Sequence, residues 1–186
     1  MYKYEYPIKI TYDNKGRVVS IYDKDRYDTS IVYTDGGLIS DIIYNNTSGE
    51  CVKYLYDKSN RIAYSQSRTI NQTRGSMTVE SHRYVYDDNG DLEIESVTTE
   101  SCYLQTKDTF DATTVIKTYS NGLVIHEKYV DNIDKEETNY SHLYDINGNC
   151  VYTKVSEDNS IEEYWYSYDS QGNRRAIKQC TTVIYE

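Results

Sequence analysis

YDDNGDLEIE, residues 86–95, packs Asp87, Asp88, Asn89, Gly90 and Asp91 into consecutive positions, with Glu93 and Glu95 close behind. Two readings compete: a loop that holds a cation, or a turn that reverses the chain. An EF-hand-type loop needs acids at positions 1, 3 and 5, glycine at 6 and a bidentate glutamate at 12. Counted from Asp87, Gly90 arrives too early and the twelfth residue is Thr98, which is no bidentate carboxylate. The metal reading fails, and no metal ligand or cofactor is expected. The turn reading makes its own demand: the same chemistry should recur wherever the chain reverses.

It recurs along the whole chain. Tyr12-Asp13-Asn14-Lys15-Gly16-Arg17-Val18 has counterparts starting at Tyr56, Tyr86, Tyr144 and Tyr168, and shortened versions start at Tyr33 and Tyr119. Seven units result. Asp in the first turn position accepts backbone N–H bonds, and Gly three residues later supplies a positive φ, as in a type I turn closed by a G1 bulge. Asn60 stands for that glycine in one unit, and Asn tolerates the left-handed region best after Gly. The shortened units carry Asp35-Gly36 and Asn121-Gly122, which predict two-residue type I′ turns.

The flanks alternate with the period of a strand. Ile8, Ile10 and Tyr12 share one face, as do Val52, Tyr54 and Tyr56, and Tyr164, Tyr166 and Tyr168. Polar links such as KDRYD (24–28), NNTSGE (45–50) and SEDNS (156–160) join the units, and no helical period is visible. The reading is an all-β antiparallel meander of about seven hairpins and about fourteen strands. A sheet that long is expected to curl into a wrapped sheet, a sandwich or a barrel. No Pro- or Ser-rich linker divides the chain, so residues 1–186 are expected to form one domain. The last strand, AIKQCTTVIYE, carries little charge and offers an edge for internal pairing or for oligomerisation.

Composition narrows the function. Among 186 residues there are 23 Tyr but one Phe, one Trp and one Pro. That imbalance predicts rings that pack while their hydroxyls reach the surface. A formal charge of −10 argues against nucleic acid and anionic membranes as partners, and suits a basic protein partner. The start, MYKYEYPIKI, has no apolar h-region, and no run approaches the roughly 18 apolar residues of a membrane span, so a cytoplasmic location is expected. Cys51, Cys102, Cys150 and Cys180 are widely spaced and expected to be reduced thiols; a trimmed export product would allow two disulfides instead.

The unit x-Y-x-Y-D-x-x-G-[RN]-[VL], seen best at Tyr54–Asp57, Tyr84–Asp87 and Tyr166–Asp169 and completed by Gly16-Arg17-Val18, resembles the YD repeat of bacterial Rhs and wall-associated proteins. The resemblance covers nearly the whole chain. It implies a β-sheet scaffold; large members wind many repeats into a toxin-enclosing shell or display them at the cell surface, where sugar binding has been proposed. This chain is too short to form a large shell, lacks the Asp-Pro-x-Gly-Leu-like core motif of the self-cleaving forms and carries no toxin-like segment. Among small relatives the resemblance points to immunity proteins, adaptors or fragments of larger chains.

No catalytic constellation is apparent. His82, His126 and His142 lie in none of the zinc-protease motifs, no Cys–His pair stands out, and no nucleophile elbow or phosphate loop is present. The chain is expected not to be an enzyme. Two features suggest a partner surface. One is the acidic run Asp87, Asp88, Asp91, Glu93, Glu95, with Glu93 and Glu95 on the strand face opposite Leu92 and Ile94. The other is Tyr164-Trp165-Tyr166, the densest aromatic stretch, of a kind common in protein and carbohydrate sites. The expectation is a non-catalytic YD-repeat scaffold that binds another protein, as an immunity or toxin-associated factor. A carbohydrate-binding module and a purely structural repeat are the alternatives.

Overall fold

The computed structural model describes residues 8–23, 28–45 and 49–184. The readings placed on residues 1–7, 24–27, 46–48 and 185–186 lie outside them. The strands come as seven hairpins: β1 (Ile8–Tyr12) with β2 (Val18–Asp23), β3 (Thr29–Tyr33) with β4 (Ile39–Tyr44), β5 (Cys51–Tyr56) with β6 (Ile62–Asn71), β7 (Ser76–Tyr86) with β8 (Leu92–Tyr103), β9 (Thr109–Ser120) with β10 (Leu123–Asp131), β11 (Glu137–Tyr144) with β12 (Cys150–Glu157), and β13 (Ser160–Tyr168) with β14 (Arg174–Val183). They follow one another across an antiparallel meander in sequence order, β1 to β14. Two compact units divide it, Met1–His82 with Thr99–Phe110 and Arg83–Thr98 with Asp111–Glu186.

The expected closure into a wrapped sheet, sandwich or barrel is wrong. β1 has only β2 as a neighbour and β14 has only β13, so the sheet is open. Within each unit, strands touch only the strands adjacent in sequence, and no second layer covers them. Burial reflects this. Among the described residues only Ser76, Ser101 and Cys102 are buried, and no large side chain is fully enclosed. A twist alone does not force closure; an apolar face that must be hidden does, and here both faces mix Tyr, Thr and charged residues.

The turns explain the repeat residue by residue. In the units at Asp13, Asp57, Asp87, Asp145 and Asp169, the aspartate Oδ1 accepts the N–H groups two and four residues on, at 2.8–2.9 Å. The N–H three residues on donates to the aspartate carbonyl, and the aspartate N–H donates to the carbonyl four residues on. Positive φ falls where the type I plus G1 turn needs it: Gly16 at 74°, Asn60 at 62° and Gly90 at 94°. The residue after the glycine has a task too. Arg17 and Arg61 Nε donate to Oδ2 of Asp13 and Asp57 at 2.7 Å, and Asn149 Nδ2 donates to Asp145 Oδ2 at 3.0 Å. These bonds account for the [RN] position of the motif.

The unit at Tyr33 differs from the type I′ expectation. Thr34 takes the place of the aspartate: its Oγ1 accepts the Leu38 N–H at 3.1 Å, and Gly37, not Asp35 or Gly36, has the positive φ. It is a full-length unit whose Asp35 falls one place late. Asn121 and Gly122, at φ 50° and 74°, do form the two-residue turn.

Neighbouring hairpins are joined by the repeat tyrosines. The hydroxyls of Tyr33, Tyr56, Tyr144 and Tyr168 donate to the carbonyls of Val18, Ile39, Val124 and Cys150 at 2.7–2.9 Å. In each case the acceptor is the residue paired with the repeat tyrosine of the preceding hairpin: Tyr12 with Val18, Tyr33 with Ile39, Tyr119 with Val124, Tyr144 with Cys150. These four hydroxyls therefore turn inward to the backbone, whereas the composition suggested hydroxyls reaching the surface. They latch one hairpin to the next, and Phe cannot replace them because it carries no donor.

Candidate functional site

The acidic stretch is partly absorbed by the fold. Asp87 makes its turn, and the Asp91 N–H, followed by that of Asn89, holds its carboxyl below the usual carboxylate range despite some desolvation. Asp88, Asp91 and Glu93 are exposed. Glu95 is half-buried and accepts the Tyr119 hydroxyl at 2.8 Å. Burial first, and then this bond to a carboxylate, push the Tyr119 phenol up to about 12. Tyr119 is thus a repeat tyrosine that spends its hydroxyl on an acidic side chain where its sisters use a backbone carbonyl.

Asp91 is the anomaly of the stretch. It occupies the place of Arg17, Arg61, Asn149 and Asn173 but has no side-chain donor. Asn89 Nδ2 reaches Asp87 Oδ2 only at 3.4 Å. Asp91→Arg supplies the missing fork beside Asp87, and a rise of about 2 °C in melting temperature is expected. Thermal circular dichroism at neutral pH measures it; an unchanged midpoint would mean the Arg–Asp pair contributes nothing to these turns.

The aromatic stretch splits across the sheet, because neighbours in a strand point to opposite faces. Tyr164 and Tyr166 lie parallel on one face, ring centroids 6.5 Å apart and 4° between planes. The Arg174 guanidinium sits 4.8 Å over the Tyr166 ring, and the Tyr164 hydroxyl donates to Glu162. Trp165 lies on the other face, 5.4 Å from Tyr152 and beneath the Lys178 ammonium at 4.6 Å. The eight expected residues therefore do not form one patch.

Register shows what they do form. Thr153 pairs with Tyr164, His142 with Thr153, Glu127 with Tyr140 and Lys117 with Glu127, so these share a face with Tyr119, Tyr144 and Tyr168. Glu95 touches Tyr119 and so lies there as well, with Glu93 two residues before it. On this tyrosine face of the second unit, Glu93, Glu95, Glu127 and Glu162 outnumber Lys117 and Arg174. On the opposite face stand Lys128, Lys154 and Lys178, with Glu137 2.6 Å from Lys128 and Glu163 accepting the Tyr152 hydroxyl at 2.6 Å. The two faces differ in sign, and a sequence scan along one strand at a time does not show it.

The structure also brings together a pair absent from the sequence reading. Cys150 Sγ lies 4.0 Å from His142 Nδ1, which is itself 3.1 Å from Thr153 Oγ1. Burial lowers the His142 pKa, which favours the neutral imidazole. The turn at Asp145 pairs Tyr144 with Cys150 and His142 with Thr153, so His142 and Cys150 are diagonal neighbours on one face; the signal that would have found them was the same-face residue two places from Tyr144, the partner of Cys150. Two clefts are elsewhere, one lined by Glu136, Glu137, Glu157 and Asp158, the other by Arg74, Tyr103 and Asp108. Among the described residues no group of three or more His, Cys, Asp or Glu is arranged to hold a metal ion, and no helix is long and apolar enough to cross a membrane. No family model matches the chain, and no curated protein matches it either.

Proposed function

We propose that this chain is a short YD-repeat protein that works as a non-catalytic scaffold and binds another protein through the tyrosine face of its second unit. The observation that carries the reading is the sign difference between the two faces of a single layer. Such a sheet has no interior in which to enclose a substrate, and its open faces supply the contact area. Tyr gives that area at low entropic cost, and the glutamates among the rings attract a basic partner. The turn bonds and the tyrosine latches give each residue of the YD motif a task, which supports membership of that class. A toxin-associated or immunity role in the cytoplasm is the biological setting this reading favours.

The test begins with affinity capture from the native cell to obtain the partner, followed by association kinetics at two ionic strengths. Glu93→Gln combined with Glu127→Gln is expected to slow association several-fold at low salt and little at high salt. Glu137→Gln, on the opposite face, is the control. Equal rates for all three proteins would sink the assignment of the face. The parallel Tyr164 and Tyr166 rings favour a second reading, a carbohydrate site, although Arg174 covers one of them. Micromolar binding on a glycan array, lost in Tyr164→Ala, would put that reading first.

A further inference from the structure

The two ends of the meander carry the two halves of one interaction. Every latch joins a repeat tyrosine to the carbonyl paired with the preceding repeat tyrosine. Among the described residues no hairpin stands before that of Tyr12 in the sheet. Tyr12 is 56% exposed, and its hydroxyl makes no hydrogen bond among the described residues. On β14, Arg174 pairs with Tyr168, which makes its carbonyl the next acceptor in the series, and among the described residues no further hairpin claims it.

Exposure shows the same incompleteness. The positions four and two residues before each latching tyrosine are half-buried in the interior: Thr29 and Ile31, Val52 and Tyr54, Tyr140 and His142, Tyr164 and Tyr166. Their counterparts in β1, Ile8 and Ile10, are 59% and 44% exposed. On β14, residues 178–183 are exposed throughout, whereas residues 151–156 of β12 are half-buried throughout. Both strands have one side with no neighbour among the described residues.

We propose that β14 of one molecule docks antiparallel to β1 of a second copy, with the Tyr12 hydroxyl of that copy donating to the Arg174 carbonyl. The occupant is a second copy because the two open edges of the described sheet are complementary, the donor standing on β1 and the acceptor on β14. The contact is heterologous: each molecule uses a different edge at each end. Charged residues on an edge strand block such pairing, which gives a direct test.

Sedimentation velocity on the full chain over a concentration series reads the outcome. The unaltered protein self-associates. Ile10→Lys, which closes the β1 edge, and Thr181→Lys, which closes the β14 edge, are each monomeric alone. Mixed, they give a dimer and nothing larger, because one intact β14 meets one intact β1. Tyr12→Phe weakens the association about fivefold, the value of one hydrogen bond. Far-ultraviolet circular dichroism confirms that each variant is folded, and Tyr12→Phe keeps the test usable if a lysine variant is not. A wild type that stays monomeric at every concentration overturns the proposal. So does either lysine variant self-associating alone, which would mean that like edges pair, and so does an unaltered dissociation constant in Tyr12→Phe.

Discussion

Phenylalanine at Tyr33 and Tyr56 lowers the stability of the first unit by about 2 kcal/mol, and phenylalanine at Tyr144 and Tyr168 lowers that of the second by a similar amount. Each substitution keeps the ring and removes one hydroxyl that donates to the backbone of the adjacent hairpin. The four losses involve separate partners and should add. Against a total of about 5–15 kcal/mol for an ordinary domain, a combined loss near 4 kcal/mol is large. Tyr22 is the control: it is 45% exposed and makes no hydrogen bond among the described residues, so Tyr22→Phe leaves the midpoint within about 0.5 kcal/mol of wild type. Urea titrations of the paired variants and the control decide the matter. If Tyr22→Phe costs as much as Tyr144→Phe, the hydroxyl latch is not what holds the hairpins together.

Acid is expected to undo the turns together. The carboxyls of Asp13, Asp57, Asp87 and Asp169 are held below the usual range chiefly by backbone N–H groups, and that of Asp145 first by the Asn149 side-chain amide. A carboxyl whose pKa is depressed in the folded chain contributes stability above its unfolded pKa, near 3.9, and that contribution is lost as pH falls through the folded value. Because these aspartates share one environment, unfolding takes up several protons over the same narrow window. The urea midpoint should therefore be flat from pH 7 to about 5 and drop steeply below about 4. Replacing the five by asparagine, which keeps an acceptor oxygen, flattens that drop while lowering stability at neutral pH. A midpoint that declines equally steeply in the asparagine variant would assign the acid response to other carboxylates.

The turns were readable because their chemistry is local. Asp, Gly and the following Arg or Asn sit within five residues, and their bonds close inside the same stretch. Strand number and order followed from them. Thr34 escaped because its hydroxyl does the work of a carboxylate while a real aspartate stands next to it. The openness of the sheet was not readable from alternation, since an alternating strand says which residues share a face and nothing about what covers it. The near absence of Phe was the better indicator: a chain with a dry interior would have used it. Trp165 parted from Tyr164 and Tyr166 for the reason that makes a strand a strand, and the acidic run proved partly occupied because Glu95 finds its partner in Tyr119, well along the chain.

The latch also bears on how such a chain changes over generations. Each one spans only two adjacent hairpins, and no interior must be refilled when a hairpin is gained or lost. Loss of residues 145–168 would carry Tyr144 directly onto Asp169, restoring Tyr-Asp-Ser-Gln-Gly-Asn with the strand phase intact and the bond from Tyr144 to Val124 still available. Unequal exchange between similar stretches of the gene would then alter the length of the protein in whole hairpins, with each intermediate able to fold. A repeat sheet built this way sets its span by the number of its hairpins.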